Sequence, residues 1–417
     1  MQDWRNCTLG DLLEIKHGFA FKGEFFSDEG PFVLLTPGNF REEGGLKLKG
    51  DKEKFYTGDF PSEFLLKRGD LLVAMTDLTQ NAPILGSPAF IPEDGRFLHN
   101  QRLGKVVNLS HSEISPDFLF FLLNTTSVRG QIKGSATGAT VRHTSPSRIY
   151  DVAVQLPPLP IQRRIAGILS AYDELIENSQ RRIKILESMA RALYREWFIH
   201  FRFPGHESVP RVPSPLGEIP LRWEVRKLPE CVHINPRVIV PREGEKAFVP
   251  MGCLSNDSMI ISDIESRAGN SGAKFQNGDT LFARITPCLE NGKTGFVQFL
   301  PSADHVAFGS TEFIVLRSGT LTPEFVYCLA RSDEFRGVAI KSMSGATGRQ
   351  RVQEQCFTDF AIAQPPRTLL DRFSGIVRPS FRLIFELDLQ IQTLRRTRDL
   401  LLPRLLSGQI DVESIAP

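Results

Sequence analysis

Apolar side chains recur at alternating intervals of four and three residues between Pro160 and Phe198. This period is typical of a coiled-coil seam, because it places the apolar side chains on one stripe of an α-helix. Within the stretch, Gly167 is the weak point for a helix. A helix this long cannot bury such a stripe alone, so the pattern predicts a helical partner. The predicted seam residues are Ile165, Leu169, Tyr172, Ile176, Ile183, Leu186, Leu193 and Trp197.

The same apolar pattern returns 208 residues later, near the end of the chain, and predicts the partner helix. The flanking residues repeat as well, since a Pro-Pro pair precedes each of the two stretches. Pro379 lies inside the second stretch, where we expect it to interrupt and kink the helix. The second set of predicted seam residues is Phe373, Val377, Ile384, Leu387, Ile391, Leu394, Leu401 and Leu405.

Each predicted long helix follows a block of alternating strand, turn and short-helix patterns, and the two blocks align with each other. In both blocks a turn precedes an apolar strand, and a polar residue with Pro opens a short apolar helix. These matches predict a duplication in which each copy consists of one domain and one long helix. The matched segments are 66–72 with 275–281, 115–118 with 322–325, and 136–138 with 346–348.

This order of elements predicts an α+β protein: two α/β domains in tandem repeat, separated by an antiparallel two-helix coiled coil with pseudo-twofold symmetry. A short Pro-rich linker follows the first helix, so the second helix is expected to run back along it. About 38 residues at ~1.5 Å per residue would give a spacer of roughly 57 Å. The predicted boundaries are 1–157 for the first domain, 158–200 for the first helix, 201–222 for the linker, 223–363 for the second domain, 364–410 for the second helix and 411–417 for a tail.

Composition excludes several classes of protein. The 417 residues are 41% hydrophobic, with no apolar run long enough to cross a membrane and no signal-peptide pattern, so we expect a cytoplasmic location. A net charge of +2 means that any basic surface must be local. Six cysteines without a C-x-x-C pair and eight histidines without metal spacing predict no metal site and reduced thiols.

The catalytic motifs that the chain contains are incomplete. Residues 291–294 resemble the end of a phosphate-binding loop, but Pro287 stands where that motif requires its first glycine. Residues 287–290 resemble half of a deaminase zinc motif, without its second cysteine or its H-x-E partner. Residues 235–237 are not an adenine methyltransferase signature. We therefore expect a chain with no catalytic site of its own.

The segment IQRRIAGILSAYDELIENSQRRIKILESMARALYREWF with the following HFRFPGHE, and the second copy ending LLLPRLLSGQID, carry a family resemblance. They resemble the conserved regions of the DNA-specificity subunits of type I restriction-modification systems, and the two blocks look like that family's target recognition domains. The resemblance covers essentially the whole chain. It implies a non-catalytic subunit that reads both halves of a bipartite double-stranded DNA site.

The resemblance also implies partners, namely two modification (methyltransferase) subunits and two restriction (motor-nuclease) subunits. S-adenosylmethionine and ATP with Mg would lie on those partners, and this chain would hold no cofactor. The unequal lengths of the two blocks suggest unlike half-sites and therefore an asymmetric target. The residues leave open an alternative of another class, a structural coiled-coil adaptor that spaces two protein-binding domains. Salt-dependent binding to a bipartite duplex would separate the two hypotheses.

Base readout requires Arg, Lys, Asn or Gln side chains at groove-facing positions, with further cations against phosphates. Each candidate could instead be a solvated surface side chain, and the outward arginines of the two helices, Arg398 among them, are open in the same way. In the first block the DNA-binding candidates are Gln80, Asn81, Asn100, Gln101, Arg102, Lys105, Arg142, His143 and Arg148. In the second block they are Arg284, Asn291, Lys293, Arg349, Gln350 and Arg351. The clusters around Arg142 and Arg349 are favoured because they occupy equivalent places in the repeat.

Overall fold

The structure, a computed structural model, describes residues 4–345 and 350–412. The chain divides into two compact units, residues 1–175 with 394–417 and residues 176–393. Each unit contains β-sheets, short helices and part of both long helices. The predicted α+β class, with two β-rich domains and two long helices packed together, is confirmed.

The first unit contains three short α-helices, the first part of the long helix α4, which continues into the second unit, and the end of a second long helix named below. The first four are α1 (Pro116–Leu123), α2 (Thr126–Gly134), α3 (Pro146–Tyr150) and α4 (Leu159–Tyr194). The strands are β1 (Arg5–Thr8), β2 (Glu14–His17), β3 (Phe26–Ser27), β4 (Phe32–Leu34), β5 (Phe55–Tyr56), β6 (Leu71–Ala74), β7 (Thr76–Asp77), β8 (Pro88–Phe90), β9 (Phe97–Leu98), β10 (Leu103–Val107), β11 (Arg142–His143) and β12 (Ala153–Leu156).

Two four-stranded sheets form the first domain, which we define as the part of the first unit before α4. One is antiparallel with the order β2-β10-β6-β8, and the other has the order β3-β5-β4-β9 with β4 and β9 parallel. Strand β6 is buried on both faces: Leu71 and Val73 share a core with Phe118 of α1, while Leu72 shares another with Phe97. This double burial explains the continuous apolar run at β6.

The second unit contains the short helices α5 (Leu228–Cys231), α6 (Pro323–Ala330) and α7 (Asp333–Lys341), and most of the long helix α8 (Arg367–Leu406). Its strands are β13 (Arg211–Ser214), β14 (Gly217–Pro220), β15 (Glu224–Lys227), β16 (Val232–Ile234), β17 (Lys246–Val249), β18 (Glu265–Arg267), β19 (Ala273–Gln276), β20 (Thr280–Ala283), β21 (Thr294–Phe296), β22 (Val306–Gly309), β23 (Phe313–Ser318) and β24 (Ala361–Gln364).

The second domain, the part of the second unit between β15 and β24, repeats the antiparallel sheet of the first domain and its parallel strand pair, although this pair is central in its sheet here and lies at the sheet edge in the first domain. Its antiparallel sheet has the order β16-β23-β20-β21, and its other sheet has the order β18-β17-β22-β19 with β17 and β22 parallel. Strand β15 pairs with β24, as β1 pairs with β12. Strands β13 and β14 form a hairpin within the segment predicted as a linker. The duplication seen in the sequence is therefore a duplication of sheet topology.

Helices α4 and α8 pack against each other within each unit. In the first unit, Ile165 and Leu169 near the start of α4 share a core with Leu405 near the end of α8. In the second unit, the Trp197 ring, in the π-helical turn Arg195–Ile199 that ends α4, lies 6.1 Å from the Phe373 ring near the start of α8. Every seam residue named from the sequence is buried or half-buried.

Helix α8 continues through both of its prolines. It runs from Arg367 to Leu406 as one helix, so the prediction that Pro379 interrupts it was wrong. Val377 and Phe381, on either side of the proline, are 2% and 1% exposed. The packing of these side chains outweighs the one backbone hydrogen bond that a proline removes.

Buried polar side chains of α4 tie it to each domain. In the first unit the Gln162 side chain accepts a hydrogen bond from Ser115 N (3.0 Å). It also donates from Nε2 to Pro157 O (2.8 Å), just before α4 begins. In the second unit the Glu187 carboxylate accepts hydrogen bonds from Tyr327 Oη (2.5 Å) and Met259 N (2.9 Å). Both side chains are almost completely buried. These contacts fix how each domain sits on the helix.

Candidate nucleic-acid interface

Three connections of the first domain meet at one edge of its sheets. They are the loop between β7 and β8, the turn between β9 and β10, and the loop between α2 and β11. Strand β7 pairs with β11, so Thr76 lies opposite His143. Met75 N donates to Arg102 O (3.0 Å), and Thr144 N donates to Met75 O (3.0 Å). The candidates Arg102 and His143 are therefore brought to the same edge.

The connection after β7, which we name loop A (residues 78–86), presents Gln80 and Asn81 to solvent. Asp77 at its base is buried and accepts hydrogen bonds from Thr79 N (2.9 Å) and Ile84 N (2.8 Å). A carboxylate that accepts backbone N–H groups from both ends of a loop holds that loop closed. The two amide side chains at the tip are thus displayed on a fixed base.

Asn100, Gln101 and Arg102 form the tight turn before β10. Gln101 N donates to Phe19 O (3.0 Å), and Arg102 N donates to Asn100 Oδ1 (3.0 Å). Gln101 and Arg102 are exposed, whereas Asn100 is half-buried and shapes the turn. The preceding His99 is buried with Nε2 2.9 Å from Leu103 O, and burial lowers its pKa to about 4. His99 is therefore uncharged at neutral pH.

The loop between α2 and β11 is held by two of the candidate arginines. Arg142 donates from Nη2 to Lys133 O (2.9 Å), and Arg148 donates from Nη1 to Thr137 Oγ1 (3.2 Å). His143 is exposed, with Nδ1 3.0 Å from Thr76 Oγ1. Arg142 thus supports the loop through the backbone and Arg148 through a side-chain hydroxyl, and each guanidinium keeps further N–H donors.

Lys105 lies away from this edge. Its Nζ is 2.7 Å from Asp70 Oδ2, and both side chains are largely buried. Asp70 precedes β6, whereas loop A follows β7, so this ion pair lies toward the opposite end of the strand. Asp70 also accepts a hydrogen bond from Lys67 N (2.8 Å) and so closes the turn before β6.

The second domain forms an equivalent edge around the connection between β20 and β21, of which we name residues 287–293 loop B. Arg284 N donates to Glu312 O (3.0 Å), and Val352 N donates to Arg284 O (2.8 Å). Ile285 lies opposite Arg351 in an antiparallel bridge. The backbone contacts thus repeat those of Met75, with Arg284 in its place.

The side chains at this second edge are partly paired. Arg351 forms an ion pair with Glu312 (Nη2 to Oε1, 2.5 Å), and Arg284 donates from Nη2 to Gln353 Oε1 (3.4 Å). Thr286 N donates to Gln350 O (3.1 Å), and Gln350 N donates to Thr286 Oγ1 (3.1 Å). The structure thus brings Arg284, Gln350 and Arg351 together. Arg349 lies outside the described residues.

The two candidates on loop B differ in exposure. Asn291 is exposed, whereas Lys293 is half-buried and donates from Nζ to Met251 O (3.0 Å) and Gly252 O (3.4 Å). The ammonium group of Lys293 therefore supports a neighbouring backbone segment. Asn291 keeps a free side chain at the tip, as Gln80 and Asn81 do on loop A.

The bridges correct one alignment within the repeat. Thr137 pairs with His143 in the first domain, and Ser344 pairs with Arg351 in the second. Thr137 and Gly138 therefore correspond to Ser344 and Gly345, rather than to residues 347–348. Matching the letters Ala-Thr-Gly shifted the register by three residues, and the second loop is one residue longer than the first between its bridged ends. Its tip, residues 346–349, lies outside the described residues.

The second domain contains a cationic groove that was not predicted from the sequence. Arg237, Lys274 and Arg284 line it together with the apolar rim residue Ile239, which is 91% exposed. The available signal was the apolar run 238–240 between Arg237 and Arg242, in a Pro-containing segment without strand alternation. Residues 235–237 were considered only as a catalytic signature and not as part of a DNA-binding surface.

The described residues offer little for redox or metal chemistry. All six cysteines are free thiols. Across residues 4–345 and 350–412 no group of three or more His, Cys, Asp or Glu side chains could hold a metal ion. None of the helices in the same ranges is long and apolar enough to cross a membrane. The exposed side chains of the two edges include amides and guanidinium groups, which are hydrogen-bond donors and acceptors.

Comparisons with known proteins agree with this geometry. Residues 1–188 match the family model described as "Type I restriction modification DNA specificity domain". The chain is 26% identical over 361 residues to the type I restriction enzyme MjaIX specificity subunit of Methanocaldococcus jannaschii, covering 83% of this chain and 76% of that protein. It is 30% identical over 204 residues to the EcoEI specificity subunit of Escherichia coli, covering 47% of this chain and 34% of that protein.

A solved structure shares the fold over nearly the whole chain. It is the S subunit of a type I restriction-modification system from M. genitalium, with a TM-score of 0.59 and 16% identity, covering 97% of this chain and 96% of that one. At this identity the likeness concerns the fold alone. Together with the family match and the M. jannaschii relative, it confirms the resemblance read from the conserved helices. The chain belongs to the type I restriction-modification specificity subunits, the non-catalytic components that supply the DNA specificity of these systems.

Proposed function

We propose that the chain reads two unlike halves of a split DNA site, one with the edge of each domain. One observation carries this proposal: the two edges share a backbone frame but differ in their side chains. Arg102 of the first edge corresponds to Glu312 of the second, and Met75 corresponds to Arg284. Since bases are distinguished by the donors and acceptors that face them, two such edges suit two different sequences.

The side chains at each edge fit particular contacts. The exposed amides Gln80, Asn81 and Gln101 can pair with an adenine edge through one donor and one acceptor, and Arg102 can pair with guanine or a phosphate. In the second domain the groove of Arg237 and Lys274 suits the phosphate backbone, and the exposed amide of Asn291 on loop B suits a base edge. These candidate contacts are the part of the proposal that mutagenesis can test residue by residue.

The proposed assembly contains two modification subunits and two restriction subunits around the specificity subunit. The modification subunits would hold S-adenosylmethionine and methylate adenine N6 in each half-site, and the restriction subunits would use ATP and Mg. A base must leave the duplex stack for such methylation, so this chain's own contribution is to place the partner over the correct base. The proposed location is the cytoplasm, where the DNA and these partners meet.

The test is a map of N6-methyladenine in a strain that expresses this subunit with the modification subunit of its own system, compared with a strain that lacks only this subunit. The expected result is one split motif with an adenine methylated in each half, which disappears in the deletion strain. A matched pair of variants localises the readout: Gln80→Ala with Asn81→Ala at loop A, and Arg181→Ala on an exposed face of α4 as the control.

The loop A variant should relax or abolish the half of the motif that the first domain reads, and the Arg181 variant should leave the motif unchanged. Methylation that persists unchanged in the deletion strain would contradict the proposal and favour a structural adaptor. A palindromic motif would contradict the assignment of one unlike half-site to each domain.

A further inference from the structure

A buried arginine lies beneath loop A. Arg129 in α2 is 8% exposed, and its Nη2 donates to the backbone oxygen of Pro83 in loop A. Its Nε and Nη1 are buried without a hydrogen-bond partner among the described residues. Burial lowers the pKa of Arg129 to about 10, although the group remains charged at neutral pH. A charged group with unused donors in such a place is unfavourable for stability alone.

The end of loop A lies directly on this side chain. Gly86 has a φ of +80°, and a Cβ added there would lie 3.5 Å from Arg129 Cδ and 2.8 Å from Ile132 Cδ1. A residue with a side chain would therefore be strained at this position and would push the loop away from α2. The guanidinium contacts the loop through backbone atoms, so the contact does not depend on which side chains the loop carries.

The second domain contains an equivalent arginine that contacts the backbone of loop B. Arg336 in α7 donates from Nη2 to Leu289 O (3.0 Å) and Glu290 O (3.1 Å), both in loop B. Its Nε is buried without a partner among the described residues, and burial lowers its pKa. Gly292 has a φ of +86°, and a Cβ added there would lie 3.6 Å from Arg336 Cζ. A glycine in the left-handed region thus again places the loop on the arginine.

The two arginines occupy the same position of the repeat. Each is the fourth residue of a nine-residue helix and is followed by a glycine, in the sequences TSVRG and DEFRG. Loops A and B, by contrast, differ in sequence, and their exposed tips carry different side chains. The repeated Arg-Gly pair in α2 and α7 was the sequence signal for this equivalence. The matched segments 115–118 and 322–325 lie at the start of the preceding short helices and do not include it.

We propose that Arg129 and Arg336 are positioning residues that set the fidelity with which loops A and B read their half-sites. This inference rests on the proposed function, because it assumes that the loop tips face DNA. Each guanidinium fixes the position of its loop relative to the short helix that carries the arginine, through hydrogen bonds to backbone carbonyl groups. The unused N–H groups can donate to another carbonyl oxygen as the loop settles on a base pair. Because these hydrogen bonds go only to backbone carbonyl groups, an arginine at the same position can hold two loops of unrelated sequence.

The experiment uses the complex of this subunit with its modification subunit, and compares Arg129→Met, Arg129→Lys, Arg336→Met and Arg336→Lys with the wild type. Methylation rates are measured on the duplex carrying the full site and on duplexes with a single base pair changed in one half. Discrimination is the ratio of the two rates. Melting temperatures of the variants are recorded alongside, so that a general loss of stability is detected.

We expect Arg129→Met to lower discrimination about tenfold in the half-site of the first domain, the size of one weakened base contact, and to leave the other half-site within about twofold. Arg336→Met should show the reverse pattern, so each domain serves as the control for the other. Lysine keeps the charge but lacks the fixed planar fork of donors with which a guanidinium can serve two carbonyl groups. It should therefore restore more at residue 129, which has one carbonyl partner, than at residue 336, which has two.

The outcomes separate the inference from the proposed function. Wild-type discrimination that is retained in folded methionine and lysine variants overturns the inference and leaves the proposed function intact. A loss spread equally over both half-sites, with a lowered melting temperature, also overturns it, because that result describes a purely structural role. If the methionine variants do not fold, the lysine variants decide by the same comparison. A wild-type complex without a split site removes the proposed function and the inference together.

Discussion

In both domains an aspartate that follows a left-handed glycine pairs with a cation of the neighbouring strand. In the first domain Asp70 lies 2.7 Å from Lys105, and in the second Asp279 receives hydrogen bonds of 2.7 and 2.6 Å from Arg317. The charge types are kept, although the cation changes from lysine to arginine. What the two domains share at this place is therefore part of the frame that holds each sheet together.

The two edges proposed for DNA readout show the opposite behaviour. At equivalent backbone positions the first domain has Arg102 and the second has Glu312, so the sign of the charge is reversed. His143 corresponds to Arg351, which Glu312 binds in an ion pair. Positions that agree between the domains hold the fold, and positions that differ are suited to readout. Two copies in one chain supply this criterion without any second protein.

The largest expected effect concerns the contacts that anchor the domains on α4, which are a carboxylate in the second unit and an amide in the first. Glu187→Ala leaves the Tyr327 hydroxyl and Met259 N–H buried without an acceptor, so we expect a loss of about 4 kcal/mol in the stability of the second unit. Denaturant unfolding followed by Trp197 and Trp223 fluorescence, in a Trp4→Phe background, measures it.

Glu177→Ala is the matched control, since Glu177 is an exposed residue of the same helix, paired with Arg181. It should change stability by less than about 0.5 kcal/mol. A Glu187→Ala variant as stable as this control would show that the buried contact is not what anchors the second domain.

A second difference between the domains is the buried His99, since the corresponding strand β22 contains no histidine. The unfolded chain binds a proton at His99 below about pH 6.5, whereas burial lowers the folded pKa to about 4. Between these values the unfolded state holds more protons, so stability of the first unit falls as the pH falls. The full loss is about 3 kcal/mol at pH 4.

Unfolding of the first unit between pH 7 and pH 4, followed by Trp4 fluorescence with Trp197 and Trp223 replaced by Phe, measures this dependence. His99→Gln should flatten the curve, while His143→Gln, at an exposed histidine, should leave it unchanged. Equal pH dependence in His99→Gln and the wild type would assign the acid sensitivity to other groups.

The two frame ion pairs should differ in strength. Asp279 is 1% exposed and accepts two bonds from Arg317, while Asp70 and Lys105 form one contact nearer to solvent. Burial raises the pKa of Asp279, which offsets part of the ion-pair energy. We therefore expect Asp279→Ala to lose about 2 kcal/mol and Asp70→Ala less than about 1 kcal/mol in denaturant unfolding. Equal losses would mean that the turn hydrogen bond, common to both aspartates, dominates.

The seam of the long helices could be predicted because a period of four and three residues is a local property of the sequence. The duplication of the domains could be predicted by aligning the two blocks, whereas the strand order within each domain could not, because it depends on pairing between distant strands. The roles of Lys105, Glu187 and Arg129 could not be predicted, because each depends on a partner far away in the chain. In the sequence alone Lys105 is indistinguishable from a lysine that contacts DNA, because its ion-pair partner Asp70 is recognised only in the folded structure.

The continuity of α8 through Pro379 has the same origin. Local propensity favours a break at a proline, while the buried neighbours Val377 and Phe381 favour a helix. The tertiary contribution prevails, and it is invisible to a propensity argument. The Ala-Thr-Gly register failed for a related reason, since strand pairing and not letter identity sets which residues are equivalent.

The smallest and sharpest test sets an edge position against a frame position within one domain. Arg102→Ala removes an exposed cation from the edge, so the slope of log binding constant against log salt concentration should decrease by about one unit. Lys105→Met removes a cation of equal charge that is already paired with Asp70, so the slope should not change. Titration of the assembled complex against its duplex at several KCl concentrations measures both. Glu312→Gln extends the comparison to the second domain, where release of Arg351 from its ion pair should strengthen DNA binding. A larger slope change for Lys105→Met than for Arg102→Ala would reverse the assignment of edge and frame, because it would place the DNA beside the ion pair instead of beside loop A.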